Sequence, residues 1–156
     1  DNKMTDLPVR IVELEPMSLI CFNGFGEEPE TQALSMLRQW ADAHGRAGRI
    51  FGYNNPNPSE GSPNYGYDAC MVVDKDTQPE GDARIRHLEG GAYAVLHCPV
   101  RKPWEDIPAA WQSLVGWMDE NDYSMGEQQW LEEHLDPSET SAGVLFELNL
   151  YLPIKS

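Results

Sequence analysis

Alternating apolar and polar positions predict a pair of strands at the start of each half of the chain. Residues 9–14 and 17–25 follow the two-residue period of strands, and a tight turn at residues 15–16 would join them into a hairpin. The pattern recurs around residues 89–91, where two glycines can supply the positive φ that hairpin turns need. The sequence therefore predicts two hairpins, one opening each half.

Each predicted hairpin is followed by a stretch with helical spacing. The first helix is predicted to start near Pro29 and stop at Gly45, and the second to follow Pro103 and stop around Asn121. Pro108 fits only the first turn of the second helix, because proline has no N–H to donate further along. The side chains that recur at helical spacing are Ala33, Leu37, Trp40 and His44, and then Ile107, Trp111, Leu114 and Met118.

Two further strands are predicted after each helix. They cover residues 50–54 and 66–73 in the first half, and residues 129–134 and 144–152 in the second. The order strand, strand, helix, strand, strand therefore occurs twice. Local hairpins with a single helix per half favour an α+β fold, in which an antiparallel or mixed sheet carries both helices on one face.

The two halves also repeat each other in sequence. The Leu-x-x-Trp motif at Leu37 returns at Leu114, and the segments RIVELE and YDACMVV are echoed by RIRHLE and FELNLYL. Matches in the same order, with slowly drifting spacing, indicate one unit built twice. We therefore expect a single domain over residues 1–156, with internal repeats at about 8–75 and 82–154 and a cleft where the halves meet.

The last predicted strand has two chemically different faces. Glu147, Asn149 and Tyr151 point to the same side, about 7 Å from one to the next. In the other repeat, Asp68 and Cys70 take the matching side. These residues predict a groove lined by acids and aromatics, although a merely solvated face would give the same pattern. The opposite, apolar side consists of Val144, Phe146, Leu148, Leu150 and Leu152.

Aromatic residues near strand ends are further candidates for a cleft lining. Tyr53, Tyr65, Tyr67, Trp104 and Tyr151 lie in or beside predicted loops and strand ends. Aromatic faces with a nearby carboxylate make a site for a planar or cationic organic molecule. Three tryptophans at helical spacing are instead expected in the core, namely Trp40, Trp111 and Trp117.

Composition narrows the class of partner. The formal net charge of −15, with only 11 Lys and Arg, excludes direct contact with nucleic acid, which needs clustered positive charge. The same charge favours cationic over anionic ligands through long-range attraction. Phosphate-binding loops and nucleophile-elbow motifs do not occur, and the four histidines are scattered. We therefore expect neither a nucleotide or other cofactor nor a metal site.

Cysteine content and apolar-run length predict a cytoplasmic protein without a membrane partner. Cys21, Cys70 and Cys98 lie in apolar strand-like runs, as buried reduced thiols do. No apolar run approaches the roughly 18 residues of a spanning helix. The chain begins with Asp1, so we expect a piece of a longer protein with a DNA-binding domain upstream. A stand-alone protein is the alternative.

These segments together resemble a known family nearly from end to end. The resemblance rests on the segments VRIVELEPM, FGYNNP, YGYDACMVV, LEGGAYAVLHC and KPWEDIPAAWQSLVGW, on the turn at Asp136-Pro137, and on a final strand that ends at Leu152-Pro153-Ile154. In this order they resemble the GyrI-like family, which comprises gyrase inhibitory proteins and effector-binding domains of AraC-type and MerR-type multidrug regulators. The resemblance implies two strand-strand-helix-strand repeats around a pseudo-twofold, with a ligand cleft between them.

The resemblance also implies a ligand class and a site. Family members typically bind lipophilic, often cationic aromatic compounds, and a subset hydrolyses reactive cyclic natural products. The family's buried Glu falls at Asn149, whose neutral amide can neither offset a cation nor act as a base. Glu147, one pleat away, is the candidate replacement for that charge. Tyr53 matches the family directly, and Trp104 stands where the family often has Tyr.

We therefore predict a non-enzymatic binding domain for a small aromatic or lipophilic molecule. It would be the sensor domain of a transcription regulator or a stand-alone sequestering protein. One alternative is a hydrolase of electrophilic small molecules, and another is a member that has lost its pocket and acts through protein contacts. The predicted ligand-binding residues are Tyr53, Tyr67, Cys70, Trp104, Glu147, Asn149 and Tyr151.

Overall fold

The computed structural model describes residues 7–155, which form eight strands and two α-helices. This composition confirms the predicted α+β class. The helices are α1 (Pro29–Ala43) and α2 (Pro103–Glu120). The strands are β1 (Arg10–Leu14), β2 (Met17–Gly26), β3 (Ile50–Asn54), β4 (Tyr65–Val73), β5 (Arg84–Leu88), β6 (Gly91–Val100), β7 (Leu131–His134) and β8 (Phe146–Pro153).

The chain divides into two compact units that do not coincide with the sequence repeats. The central unit is Pro16–Leu88, and the terminal unit combines the residues up to Glu15 with those from Glu89 onward. Each unit therefore contains one helix and four strands. The first strand of each repeat belongs to the unit built mainly from the other repeat.

The prediction of two opening hairpins is wrong, because the strands on either side of each turn belong to different units. β1 pairs with β6 in antiparallel fashion, whereas β2 pairs with β4 and β5. Residues 15–16 and 89–90 therefore connect the two units and do not close hairpins. The prediction failed because the alternation of side chains tells which face a residue takes, but not which strand is its partner. The predicted positive φ at Gly90 and Gly91 is confirmed, with values of 79° and 114°.

In the central unit, the strand order is β3-β4-β2-β5 and all pairs are antiparallel. Helix α1 covers one face of these strands, because its Ala33, Leu37 and Ala41 lie on one stripe. The sheet side of this core is formed by Ile20, Phe22, Tyr67, Ala69 and Met71. The opposite face carries the alternate residues of the same strands.

In the terminal unit, the strand order is β1-β6-β8-β7 and all pairs are again antiparallel. Helix α2 buries Leu114, Trp117 and Met118 against one face of these strands. The predicted apolar side of the last strand is confirmed, because three of its residues lie in this core, namely Leu148, Leu150 and Leu152. The polar residues of β8 accordingly face away from α2.

Pro108 lies in the second turn of α2, so its predicted place in the first turn is wrong. Pro103 already occupies the first turn, so the helix begins earlier than Pro108 alone would require. The missing N–H of Pro108 deprives the carbonyl of Trp104 of its helical donor. The side chain of Trp104 is exposed, which places that end of the helix near water.

The repeat extends to the register of the strands. In the central unit Cys21 lies opposite Cys70, as Val95 lies opposite Tyr151 in the terminal unit. On the other side of β4 and β8, the corresponding pairs are Tyr53 with Asp68 on β3–β4, and Glu133 with Asn149 on β7–β8. Asp68 is therefore the counterpart of Asn149, although the sequence repeat matches it to a neighbouring position on the same face.

Neither helix, within the part of the chain that the structure describes, is long and apolar enough to cross a membrane.

Candidate functional site

Each unit has a sheet face that its own helix does not cover, and each of these faces carries polar groups. The uncovered face of the terminal unit, which we call the terminal polar face, carries His97 on β6, Glu133 on β7, and Glu147, Asn149 and Tyr151 on β8. The strand register places Asn149 between His97 and Glu133. Three of the predicted site residues therefore share one face, as expected.

Glu133 is a buried acid of the terminal polar face, as is Glu147. Each residue is 9% exposed, and Glu133 lies opposite Asn149 across the β7–β8 pair. The hydroxyl of Tyr151 donates a hydrogen bond of 2.7 Å to its carboxylate. The ring of Tyr93 meets the ring of Tyr151 edge to face, with centroids 5.8 Å apart. A carboxylate, a phenol and two aromatic rings are therefore placed together.

Glu147 on β8 has a different environment from that of Glu133 on β7. Its carboxylate lies 2.6 Å from Nε2 of His97, and it accepts a hydrogen bond of 2.9 Å from the backbone N–H of Ser141. This backbone donor and, to a lesser extent, His97 hold the pKa of Glu147 below its usual value. Glu147 is therefore a paired carboxylate near the start of β8.

The uncovered face of the central unit, which we call the central polar face, holds two cysteines and a tyrosine close together. The hydroxyl of Tyr53 is 3.8 Å from Sγ of Cys21 and 3.9 Å from Sγ of Cys70. The guanidinium of Arg86 lies 4.7 Å from the centroid of the Tyr53 ring. Burial is the largest effect on the phenol, and it raises the pKa of Tyr53, so the hydroxyl keeps its proton.

Asp68 anchors the loop after β3 to the central polar face. Its side chain is almost fully buried and forms an ion pair of 2.8 Å with Arg84. The side-chain amides of Asn23 and Asn55 donate further hydrogen bonds of 2.7 and 3.1 Å to the same carboxylate. A buried carboxylate with three donors is well satisfied. Its arrangement indicates a structural role.

Two predicted site residues do not join either polar face. Tyr67 points to the opposite side of β4 from Cys70, where its ring packs in the core under α1 and against Gly52. Strand alternation gives this outcome, because positions 67 and 70 differ by an odd number. Trp104 lies in the first turn of α2 with 73% of its surface exposed. The sequence could not reveal this exposure, because nearby helical tryptophans are in or beside the core.

Glu133, Cys21 and His97 of the polar faces were not predicted as site residues from sequence. Glu133 lies in the short strand LEEH, where two adjacent glutamates must point to opposite faces. One of them therefore had to point to the sheet face that α2 does not cover, and this signal could have been used. Cys21 was assigned only to the core, because its position opposite Cys70 depends on a strand pairing that periodicity does not give.

Metal-binding and cavity geometry add little to this picture. Within residues 7–155, no group of three or more His, Cys, Asp or Glu side chains is placed to hold a metal ion. A surface cavity of about 430 Å³ lies beside the start of α2, and Arg101, Lys102, Glu105 and Asp106 supply its charges. None of the seven predicted site residues lines this cavity. Its mixed charges select neither cations nor anions.

Comparison with known sequences gives a family match over nearly the whole chain. The sequence model of a family described as GyrI-like small molecule binding domain matches residues 7–155. No curated protein sequence matches the chain.

Solved structures share the fold at low sequence identity. EcmrR in a DNA complex gives a TM-score of 0.72 over 95% of this chain at 11% identity, and this chain spans 57% of the EcmrR chain. SAV2435 bound to tetraphenylphosphonium gives 0.57 at 13% identity, covering 96% of this chain and 95% of that one. A hydrolase from Listeria innocua gives 0.66 at 10% identity, covering 94% and 91%. These identities support similarity of fold alone.

Proposed function

We propose that the protein binds a small aromatic or lipophilic organic cation, since the chain belongs to the GyrI-like small molecule binding domain family. The observation that carries this choice of ligand is the buried carboxylate of Glu133, which accepts a hydrogen bond from Tyr151, whose ring in turn contacts that of Tyr93. Cations are attracted both to a carboxylate and to aromatic faces. The similar structure of SAV2435 is one with tetraphenylphosphonium bound, a ligand of this class.

Glu133 is our candidate for the acid that this chain lacks at position 149. It lies directly across the strand pair from Asn149, so its carboxylate starts from the neighbouring position on the same face. Glu147 lies instead one pleat away along β8, where His97 and the backbone of Ser141 engage its carboxylate. The amide of Asn149 would then supply a neutral hydrogen-bonding group beside the charge.

The cellular role that we infer is that of a sensor or a sequestering protein. EcmrR was solved in complex with DNA, and this chain corresponds to 57% of its length. A sensor domain of a DNA-binding regulator would have such a partial correspondence. The chain's own net charge of −15 disfavours contact with DNA by this domain. Ligand binding here would therefore control a separate DNA-binding part.

Hydrolysis of an electrophilic small molecule is the second candidate. The contact that favours it is the 2.7 Å hydrogen bond between Tyr151 and Glu133, since a carboxylate can activate water while a phenol donates a proton. A similar structure is that of a hydrolase from Listeria innocua. Release of product from a strained cyclic electrophile such as an epoxide, lost in Glu133→Gln, would favour this activity over binding alone.

The binding proposal is tested with a cation and a neutral molecule of nearly equal shape. Isothermal titration would compare methyltriphenylphosphonium with triphenylphosphine oxide on the wild-type protein. We expect the cation to bind with micromolar affinity and at least about tenfold more tightly than the oxide, which corresponds to about 1.4 kcal/mol. At a salt concentration of about 0.15 M, where distant charges are screened, Glu133→Gln should reduce this preference to near one, because the isosteric amide keeps the shape and removes the charge.

A matched control lies next to Glu133 in the same strand. Glu132 points to the other face of β7, where its carboxylate accepts a hydrogen bond of 3.2 Å from Trp111. Glu132→Gln keeps an acceptor for that indole and should leave the preference for the cation unchanged. Equal binding of both ligands by the wild-type protein, or an equal loss in the two variants, would contradict the assignment of Glu133.

A further inference from the structure

The central polar face places two thiols directly opposite each other on neighbouring strands. Cys21 on β2 and Cys70 on β4 are register partners, and they are 1% and 0% exposed. Directly opposed residues of an antiparallel pair have Cα atoms about 4.5–5.5 Å apart. A disulfide needs about 4.4–6.8 Å between the same atoms. The strands are therefore already at a spacing at which these sulfurs can be joined.

Tyr53 brings the two sulfurs to a common point. Its hydroxyl is 3.8 Å from one and 3.9 Å from the other, so both thiol groups turn toward the same side of the sheet. Helix α1 packs on the opposite side of these strands. Cys98, the third cysteine, lies in the terminal unit with its Sγ 3.9 Å from the backbone carbonyl of Asp106. It therefore provides an internal comparison.

We propose that Cys21 and Cys70 are a modification site, in which hydrogen peroxide converts the facing thiols into a disulfide that cellular thiols reduce again. This inference is independent of the proposed ligand, because it rests on residues of the central unit alone. Its result would be a covalent link between β2 and β4 beneath the hydroxyl of Tyr53. The two thiol hydrogens beside that hydroxyl would then be lost.

The environments of the sulfurs assign them different parts in the reaction. A hydrogen bond from Cys70 lowers the pKa of Cys21, whereas burial raises the pKa of Cys70. Cys21 is therefore the better source of the thiolate that attacks an oxidant. Burial raises the pKa of Cys98 to about 11, so that thiol is also a poorer source of thiolate than Cys21.

The chemistry balances in two steps. The thiolate of Cys21 attacks one oxygen of hydrogen peroxide, the O–O bond breaks, and the departing hydroxide takes up a proton to leave as water. Cys21 is then a sulfenic acid. The sulfur of Cys70 attacks the sulfur of Cys21, the S–O bond breaks, and the oxygen leaves as water with the proton of the Cys70 thiol. One peroxide thus yields one disulfide and two waters.

The test uses the full chain with a small excess of hydrogen peroxide. After unfolding and alkylation of free thiols, intact mass should show one alkylated cysteine in place of three. Tryptic digestion without reductant should give residues 11–38 linked to residues 50–75. Cys98→Ser should form the same link at the same rate. In Cys70→Ser, the reaction should stop at a sulfenic acid on Cys21 that dimedone traps, and Cys21→Ser should react at least tenfold more slowly.

Several outcomes would overturn the proposal. They are a link between two copies of the chain, modification of Cys98 before the other two, or three free thiols after exposure to peroxide under conditions that oxidise a small-molecule dithiol. If Cys21→Ser or Cys70→Ser fails to fold by circular dichroism, the linked peptide from the wild-type protein and from Cys98→Ser still decides, since both retain the facing pair. A linked peptide that dithiothreitol cannot release would contradict reversibility.

Discussion

At the scale of single residues, the pairing of Asn149 with Glu133 explains why an amide can occupy position 149. The two side chains are directly opposite each other on β8 and β7. Like charges at such a position repel, so a second carboxylate would be costly beside the buried Glu133. The sequence identified Asn149 as unusual but could not identify its partner, since that partner is fixed by strand register.

Asn149→Glu should therefore destabilise the unliganded protein. We expect the free energy of unfolding at neutral pH to fall by about 1–3 kcal/mol, because the new charge is poorly satisfied beside Glu133. The loss should shrink on acidification, as protonation of the carboxyls removes the repulsion. Denaturant titration at several pH values measures both effects. Asn149→Gln is the control, and it should lack the pH dependence.

Glu147 gives a second pH-dependent prediction. Its pKa lies below the usual 4.5 in the folded protein, chiefly through the backbone N–H of Ser141. A group with a depressed folded pKa contributes stability that is present above its unfolded pKa and lost as the pH falls through the folded value. Glu147→Gln should therefore cost stability near neutral pH. Its unfolding curve should approach that of the wild-type protein in acid below the folded pKa, and a cost that stays constant across that range would contradict this account.

At the scale of elements, faces were predictable and partners were not. The terminal strand showed its apolar and polar sides in sequence, and Leu148 and Glu147 take the predicted sides. Periodicity fixes this outcome, because a shift of one residue would expose the whole apolar set. The pairings of β1 with β6 and of β5 with β2 depend instead on contacts distant in sequence. A tight turn at residues 15–16 therefore suggested the wrong hairpin.

The connecting segment at residues 89–90 requires a glycine. Gly90 has a φ of 79°, and a Cβ there would collide with the carbonyl oxygen of Leu14. Gly90→Ala should lower the free energy of unfolding by clearly more than the roughly 1–2 kcal/mol of a positive φ alone. Gly61 is the matched control, because its φ is 82° and no atom lies within 4 Å of the place that an alanine methyl group would take.

Chemical denaturation of Gly90→Ala and Gly61→Ala decides whether the collision matters. If the two variants lose the same stability, backbone strain alone accounts for both and the approach to Leu14 adds nothing. A larger loss for Gly90→Ala would show that the close approach of Gly90 to the carbonyl of Leu14, within the terminal unit, leaves no room for a side chain.

At the scale of the whole molecule, the repeat was visible in sequence because equivalent positions kept similar side chains. Leu37 and Leu114 are both fully buried under the same helix-on-strand packing. The polar faces have diverged, with Tyr53 in one unit where Glu133 stands in the other. A sequence repeat detects what the two halves share. It therefore located the fold but could not locate the chemistry in which they differ.

The net charge of −15 should act on ligand binding separately from Glu133. The screening length falls from about 30 Å at 0.01 M salt to about 8 Å at 0.15 M, so added salt weakens attraction by distant charges more than by a buried neighbour. We expect affinity for methyltriphenylphosphonium to fall several-fold over this range, and affinity for triphenylphosphine oxide to change little. In Glu133→Gln the salt dependence should persist even though the preference at high salt is lost. If Glu133→Gln abolishes the salt dependence as well, the single carboxylate accounts for the whole attraction and the acidic surface plays no part in selecting the ligand.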